Sequence, residues 1–254
     1  MVKKTQFLLL ALLLALPFNG YAQQPLRGDV DYDGTVSISD VLMTIDYLLK
    51  GSWSDDPVTP PTEGDWVDLG LPSGTIWATR NIGASAPEDY GYYFAWGETT
   101  PTPKDNYDWS TYKWCKGNDN TLTKYCTNSD YGYNGFTDGK TELDPEDDAA
   151  YVNWGSVARM PSLEQIKELR DNCNWQWTER NGVNGQLVTG PNGNTIFLPA
   201  AGAVSWGLYW SRTLDPDLSA YACNLFFASW SVDWYDDLYR LGGFSVRAVR
   251  VSQN

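Results

Sequence analysis

The sequence predicts an α+β domain of short antiparallel strands, one or two helices and long loops, set behind a small helical repeat. Three observations point there. From Gly207 to Arg250, Leu208, Trp210, Leu225, Phe227, Val232 and Trp234 recur at even spacing and Phe244, Val246 and Ala248 close the run, the period of strands with a buried face. RMPSLEQIKELRDNC carries a helix start and a three-residue apolar repeat. The span Thr100 to Asn153 is rich in Asn, Asp, Tyr and Gly with little periodicity, and reads as a long loop insertion.

Residues 1–22 read as an export signal. Lys3 and Lys4 precede an apolar run from Phe7 to Phe18, and Gly20-Tyr21-Ala22 stands before Gln23 as a small-residue cleavage site. The run is too short for a membrane helix, so no transmembrane segment is expected in the mature chain, and the expected location is secreted or cell-surface. With 18 basic against 32 acidic residues the chain will not seek phosphate backbones, so nucleic acid is not an expected partner. The absence of histidine removes Ser-His-Asp and Cys-His catalysis and His-ligated zinc together.

Residues 23–51 hold GDVDYDGTVSISDVLMTIDYLLKG. Asp29, Asp31, Asp33, the carbonyl of Thr35 and Asp40 fall at positions 1, 3, 5, 7 and 12 of a calcium loop, with Gly34 at the sixth, where the turn needs a positive φ. Hard oxygen donors at this spacing suit Ca²⁺, and Val41, Ile45, Leu48 and Leu49 form one apolar helix face behind them. The stretch resembles one repeat of a dockerin, with Asp rather than Glu at the last position. That resemblance implies calcium ligation by those five residues and a cohesin as partner, although dockerins carry two repeats and no second follows here. Residues 52–64, with Pro57, Pro60 and Pro61, read as an acidic linker or as an arm lying on the next domain.

Residues 65–254 form the large domain. WVDLG, GTIWATRNIG and GYYFAWGE read as strands, and Trp77, Phe94 and Trp96 as core. In the helix, Ser162 and Gln165 make a capping box and Leu163, Ile166 and Leu169 share one face. WQWTE, GQLVT, NTIFLPAAG and LYWSRT follow as strands, with Pro191-Asn192-Gly193-Asn194 as a hairpin turn. Cys115 and Cys126 flank a short polar loop and are the expected disulfide, worth about 3 kcal/mol. Cys173 and Cys223 are either a second bridge or two buried thiols. Asp144, Glu146, Asp147 and Asp148 read as a solvated acidic loop, and nothing pairs acids as a hydrolase would need. The expectation is therefore a binding protein and not an enzyme.

Three anchors, WVDLGLPSGTIWATRNIG, RMPSLEQIKEL and GFSVRAVR, occur in an order that resembles the Fibrobacter major paralogous domain family of secreted gut-bacterial proteins. The resemblance spans about Asp65 to Val251 and implies a C-type lectin-like fold whose N and C termini pair in one sheet. The helix start and closing GF-V-R also resemble the formylglycine-generating sulfatase-modifying family, whose enzymes use a cysteine pair; here Cys223 stands alone. The order W-S-x-T-L, A-x-x-L-x-F, V-x-W, R-x-x-G-F-S-V-R is similar to variable proteins of diversity-generating retroelements. In those proteins randomised Asn codons yield residues such as Asn, Asp, Tyr and Ser but never Lys, Glu, Gln or Met, and none of those four occurs in this stretch.

The expected ligand-binding face lies at about 212–242. Asp215, Asp217, Ser219 and Tyr221 serve no apolar pattern, and period two turns Phe226, Ser231, Asp233 and Tyr235 outward if Leu225, Phe227, Val232 and Trp234 point inward. Asp236, Asp237, Tyr239 and Leu241 complete the neighbourhood. Tyr, Asp and Ser are the residues of adaptable binding surfaces. Their ligand is expected to be an extracellular protein or a glycan, the latter if the chain is a dockerin-bearing part of a polysaccharide-degrading system, with Trp206, Trp230 and Tyr235 stacking on sugar.

Overall fold

The computed structural model describes residues 61–101, 107–201 and 205–251. The chain divides into two compact units, Met1–Pro57 and Val58–Asn254, and every described residue belongs to the second. The expected export signal, and the calcium loop with Asp29, Asp31, Asp33, Thr35 and Asp40, lie outside the described residues.

The second unit is α+β. Its strands are β1 (Trp66–Asp68), β2 (Thr75–Ala78), β3 (Tyr93–Phe94), β4 (Asn174–Arg180), β5 (Val183–Thr189), β6 (Thr195–Pro199), β7 (Trp206–Leu214), β8 (Tyr221–Ala228), β9 (Ser231–Tyr239), β10 (Phe244–Ser245) and β11 (Val249–Val251). Its helices are α1 (Ala149–Trp154) and α2 (Leu163–Asn172). The strands make a three-stranded sheet in the order β1-β2-β11, a five-stranded sheet β3-β10-β7-β8-β9 and a three-stranded sheet β4-β5-β6. In the first sheet β11 pairs antiparallel with β2, so the two ends of the described domain meet there. The one parallel pair among the described strands joins β10 to β7 at Ser245 and Tyr209.

α2 begins as the sequence dictates. Ser162 Oγ accepts from Gln165 N while Gln165 Oε1 accepts from Ser162 N, which satisfies two of the donors that a helix start leaves open. Its buried Ile166 and Leu169 enter a core with Trp77, Tyr209, Leu225, Phe227, Val188 and Leu198. A second core lies against the other face of the five-stranded sheet and holds Trp210, Phe94, Trp96, Tyr125, Leu143, Trp154 and Val246. Tyr209 and Trp210 are neighbours in sequence and go to opposite cores, as period-two geometry requires. The central sheet is therefore covered on both sides. At Gly207 a Cβ would stand 2.3 Å from the Phe227 ring, so only glycine lets that ring lie over β7.

Two sequence expectations change in the long insertion. The Cys115–Cys126 disulfide does not form and all four cysteines are thiols. The ladder partner of Cys115 is Leu122, and the Sγ of Cys115 faces Trp109 O at 3.0 Å while that of Cys126 faces Asn128 O at 3.1 Å. The acidic run is also no solvated loop. Asp147 and Asp148 are buried, and Asp148 caps α1 by accepting from Ala150 N and Tyr151 N while pairing with Arg159 at 2.8 Å.

Candidate ligand-binding face

The candidate face is built on the β8–β9 hairpin, whose turn is Ser229-Trp230 between the paired Ala228 and Ser231. Leu225 faces Trp234 and Phe227 faces Val232 across the pair, and all four pack toward the α2 core, as the sequence predicts. Phe226 faces Asp233 on the opposite side, and the Phe226 and Tyr235 rings meet edge to face at 5.5 Å. Tyr235 is exposed, while Phe226, Ser231 and Asp233 are half-buried. β9 is the outer strand of its sheet.

The alternation breaks once. Asn224 pairs with Tyr235 but Ala222 pairs with Leu238, so β9 carries one extra residue in a bulge at Asp236 and Asp237. The side chain of buried Asn224 donates to Tyr235 O at 3.1 Å beside the bulge. Beyond it, Tyr221 and Tyr239 stand opposite each other with rings stacked at 4.5 Å and 23°. The Trp109 ring meets Tyr239 edge to face at 5.6 Å. The Tyr221 hydroxyl is pushed up to about 12, first by its hydrogen bond with Tyr239, then by burial and the neighbouring Tyr131 and Asp119. The half-buried Leu241 follows in the turn after β9.

Several expected ligand residues do other work. Asp215 is buried and its carboxylate accepts from Asp217 N and Leu218 N, holding the β7–β8 turn closed. Ser219 is buried and its hydroxyl oxygen accepts from Thr127 N and Asn128 N, tying the insertion to the sheet. Both left the apolar pattern because they satisfy backbone donors, and neither is offered to a ligand. Asp233 accepts from Arg170 of α2 at 2.9 Å, so its charge is partly neutralised within the chain. Asp217 is exposed. Trp109 joins the face from the insertion, and no spacing in the sequence connects it to Tyr239.

The insertion is locked to the sheet from below by Arg240, which is fully buried. Its guanidinium donates to Tyr125 O at 2.8 Å, Ser219 O at 3.0 Å, Lys124 O at 2.8 Å and the Tyr112 hydroxyl at 2.7 Å. It also lies 5.2 Å from the Trp96 ring centre.

Among the described residues, Asp144, Glu146 and Asp147 bring carboxylate oxygens within 4.8 Å of one another. Lys124 Nζ stands between them, at 2.8 Å from Asp144, 2.5 Å from Asp147 and 3.8 Å from Glu146, so the chain itself supplies the cation. Hydrogen bonds from Lys124 and then Lys140 hold the Asp144 carboxyl down at about 2. A depressed folded-state value means stability that is present above the unfolded value near about 4 and lost as pH falls toward 2. Asp144→Asn is thus expected to melt below the parent at pH 6, with the gap closing between pH 4 and 2. Thermal melts of both proteins across that range check it, and a gap that stays constant speaks against the ion pair.

No protein-family model, no curated protein and no solved structure matches this chain.

Proposed function

We propose that the chain is an exported, non-enzymatic ligand-binding protein whose second unit is C-type lectin-like, with the surface at about 212–242 taking an extracellular ligand. The observation that carries this reading is the separation of roles along β8 and β9. Leu225, Phe227, Val232 and Trp234 pack inward, whereas Tyr235, Tyr239 and the hairpin-tip Trp230 are 39%, 43% and 72% exposed. Large exposed aromatic side chains on a scaffold fixed by two cores offer contact area at little entropic cost. Burial also supports the likeness to retroelement variable proteins, since ten of the fifteen fixed positions of that pattern, Trp210, Ser211, Leu214, Ala222, Leu225, Phe227, Arg240, Ser245, Val246 and Arg247, are buried, and the other five are half-buried. An array of glycans and extracellular proteins, probed with the parent and with Tyr235→Ala and Tyr239→Ala, tests the reading. It falls if every ligand that the parent captures is captured equally by both variants.

A second reading, a dockerin-bearing glycan binder, is favoured by the Asp29–Asp40 pattern together with the exposed Trp230. Under it the loop binds one Ca²⁺ at a dissociation constant of about 10⁻⁴ to 10⁻³ M, the range of extracellular modules. Titration calorimetry should give calcium heat for the parent and none for Asp31→Ala. Calcium-silent traces from both would remove the metal from the account.

A further inference from the structure

The three described sheets have six outer strands, and five of them are closed to further pairing. β1 and β3 span only three and two residues. β11 exchanges backbone bonds with Arg159 through Val249, at 2.8 and 2.9 Å. On β6 the carbonyls of Phe197 and Pro199 accept from Arg247 at 3.0 Å and from the Tyr209 hydroxyl at 2.8 Å. β9 is bulged, and its Trp234 N donates to the Asp233 carboxylate at 2.9 Å. Short length, bulges and internal partners are the means by which a sheet edge avoids recruiting another strand. β4 has none of them. It is seven residues long, NWQWTER, contains no proline or lysine and pairs with β5 without a bulge. Its hairpin turn is Asn181-Gly182, between the paired Arg180 and Val183. In a two-residue hairpin the pair beside the turn is hydrogen-bonded and the pairs then alternate. Arg180, Thr178, Gln176 and Asn174 therefore bond to β5, while the N–H and C=O groups of Trp175, Trp177 and Glu179 point away from it. Among the described residues nothing bonds to those outward groups.

We infer that β4 pairs antiparallel with β4 of a second copy of this chain, joining two three-stranded sheets into one. The strand is complementary to itself. With the two-fold axis at Trp177, that residue meets its own copy and Trp175 meets Glu179 of the partner subunit, so every outward N–H and C=O on both strands finds a partner. On the other face Gln176 stands opposite Thr178 of the partner subunit, and Arg180 opposite Asn174 of the partner subunit. No like charges meet, because the two Glu179 side chains fall at opposite ends of the pair and Arg180 is already bound to Glu88 at 3.1 Å. That matters in a chain of net charge −14, where most other surfaces would repel a second copy. The half-buried Trp177 ring is also covered by the contact. Each copy has one such edge, so pairing stops at two. The dimer carries two copies of any ligand-binding surface and gains avidity for a multivalent target, whatever that ligand is.

Sedimentation equilibrium of the mature chain, with hydrogen exchange on the same samples, tests the pairing. The parent should sediment at twice the monomer mass at about 100 μM, with the Trp175, Trp177 and Glu179 amides protected, and dissociate on dilution. Glu179→Pro removes an outward N–H from each copy without touching the β5 ladder, and should weaken self-association by about ten-fold or more. A charge exchange reads the register. Gln176→Lys with Thr178→Lys places lysines opposite lysines, and Gln176→Glu with Thr178→Glu does the same with carboxylates, so each double variant alone should be monomeric. Mixed in equal amounts, the two should form a heterodimer, which also shows that both are folded. Should Glu179→Pro not fold, this exchange decides the matter alone. A monomeric parent overturns the inference. If its Trp175, Trp177 and Glu179 amides are nonetheless protected, the strand is covered by the chain's own remaining residues. A parent dimer indifferent to Glu179→Pro and to both double variants is built on another surface, and overturns it equally.

Discussion

Arg240→Met should lower the stability of the second unit by about 3 kcal/mol or more, the cost of several buried acceptors left without a donor. Methionine fills a similar volume, so the loss isolates the polar role. Three carbonyls, those of Lys124, Tyr125 and Ser219, and the Tyr112 hydroxyl lose their donor inside the protein. Each buried acceptor left without a partner costs about 1 to 3 kcal/mol, part of which is recovered where the insertion loosens and admits water. Arg240→Lys should rescue little, because an ammonium on a flexible stem cannot reproduce the guanidinium fork. Urea unfolding reads the effect as a fall in midpoint, and a change below about 1 kcal/mol would mean that hydrophobic packing alone holds the insertion to the sheet.

Phe227→Ala should cost about 3 to 5 kcal/mol, through the cavity it leaves. The Phe227 ring stacks on Tyr209 at 5.7 Å, lies 6.3 Å from Trp175 and rests over Gly207, so collapse around the deletion is limited. Tyr235→Ala removes an exposed ring from the same hairpin and should stay within about 0.5 kcal/mol. The contrast between two aromatics only eight positions apart follows from the side of the sheet each occupies. Equal losses for both would show that the outer ring also belongs to the core.

The α2 helix was legible because its cap and its apolar face are both local, with Ser162 and Gln165 three residues apart. The strands from β4 to β8 were legible in the same way. β2 and β3 are shorter than GTIWATRNIG and GYYFAWGE suggest; beyond Ala78 the backbone bonds are isolated ones rather than a ladder, from Thr79 N to Asp65 O and from Ile82 N to Val246 O. The β4–β5 hairpin has its signal in Asn181-Gly182, with φ of 49° and 83°, a pair that strand periodicity passes over. At the candidate face, period two placed Tyr235 outward and Trp234 inward correctly. It could not place Asp215 and Ser219, whose polarity serves backbone donors, nor Asp233, whose partner Arg170 is 63 positions away. Trp109 is likewise joined to Tyr239 only by the fold. The acidic run misled for a related reason: Lys124 and Arg159, which neutralise Asp147 and Asp148, are remote in sequence.

We propose that binding and stability are carried by opposite sides of the β8–β9 hairpin. The most direct measurement is the affinity of an array-identified ligand for the parent, Tyr235→Ala and Tyr239→Ala, with melting temperatures recorded on the same samples. At least one variant should lose about 1 kcal/mol or more of binding free energy while both melt with the parent. Unchanged affinity in both variants, or loss of binding only where the protein has unfolded, would contradict it.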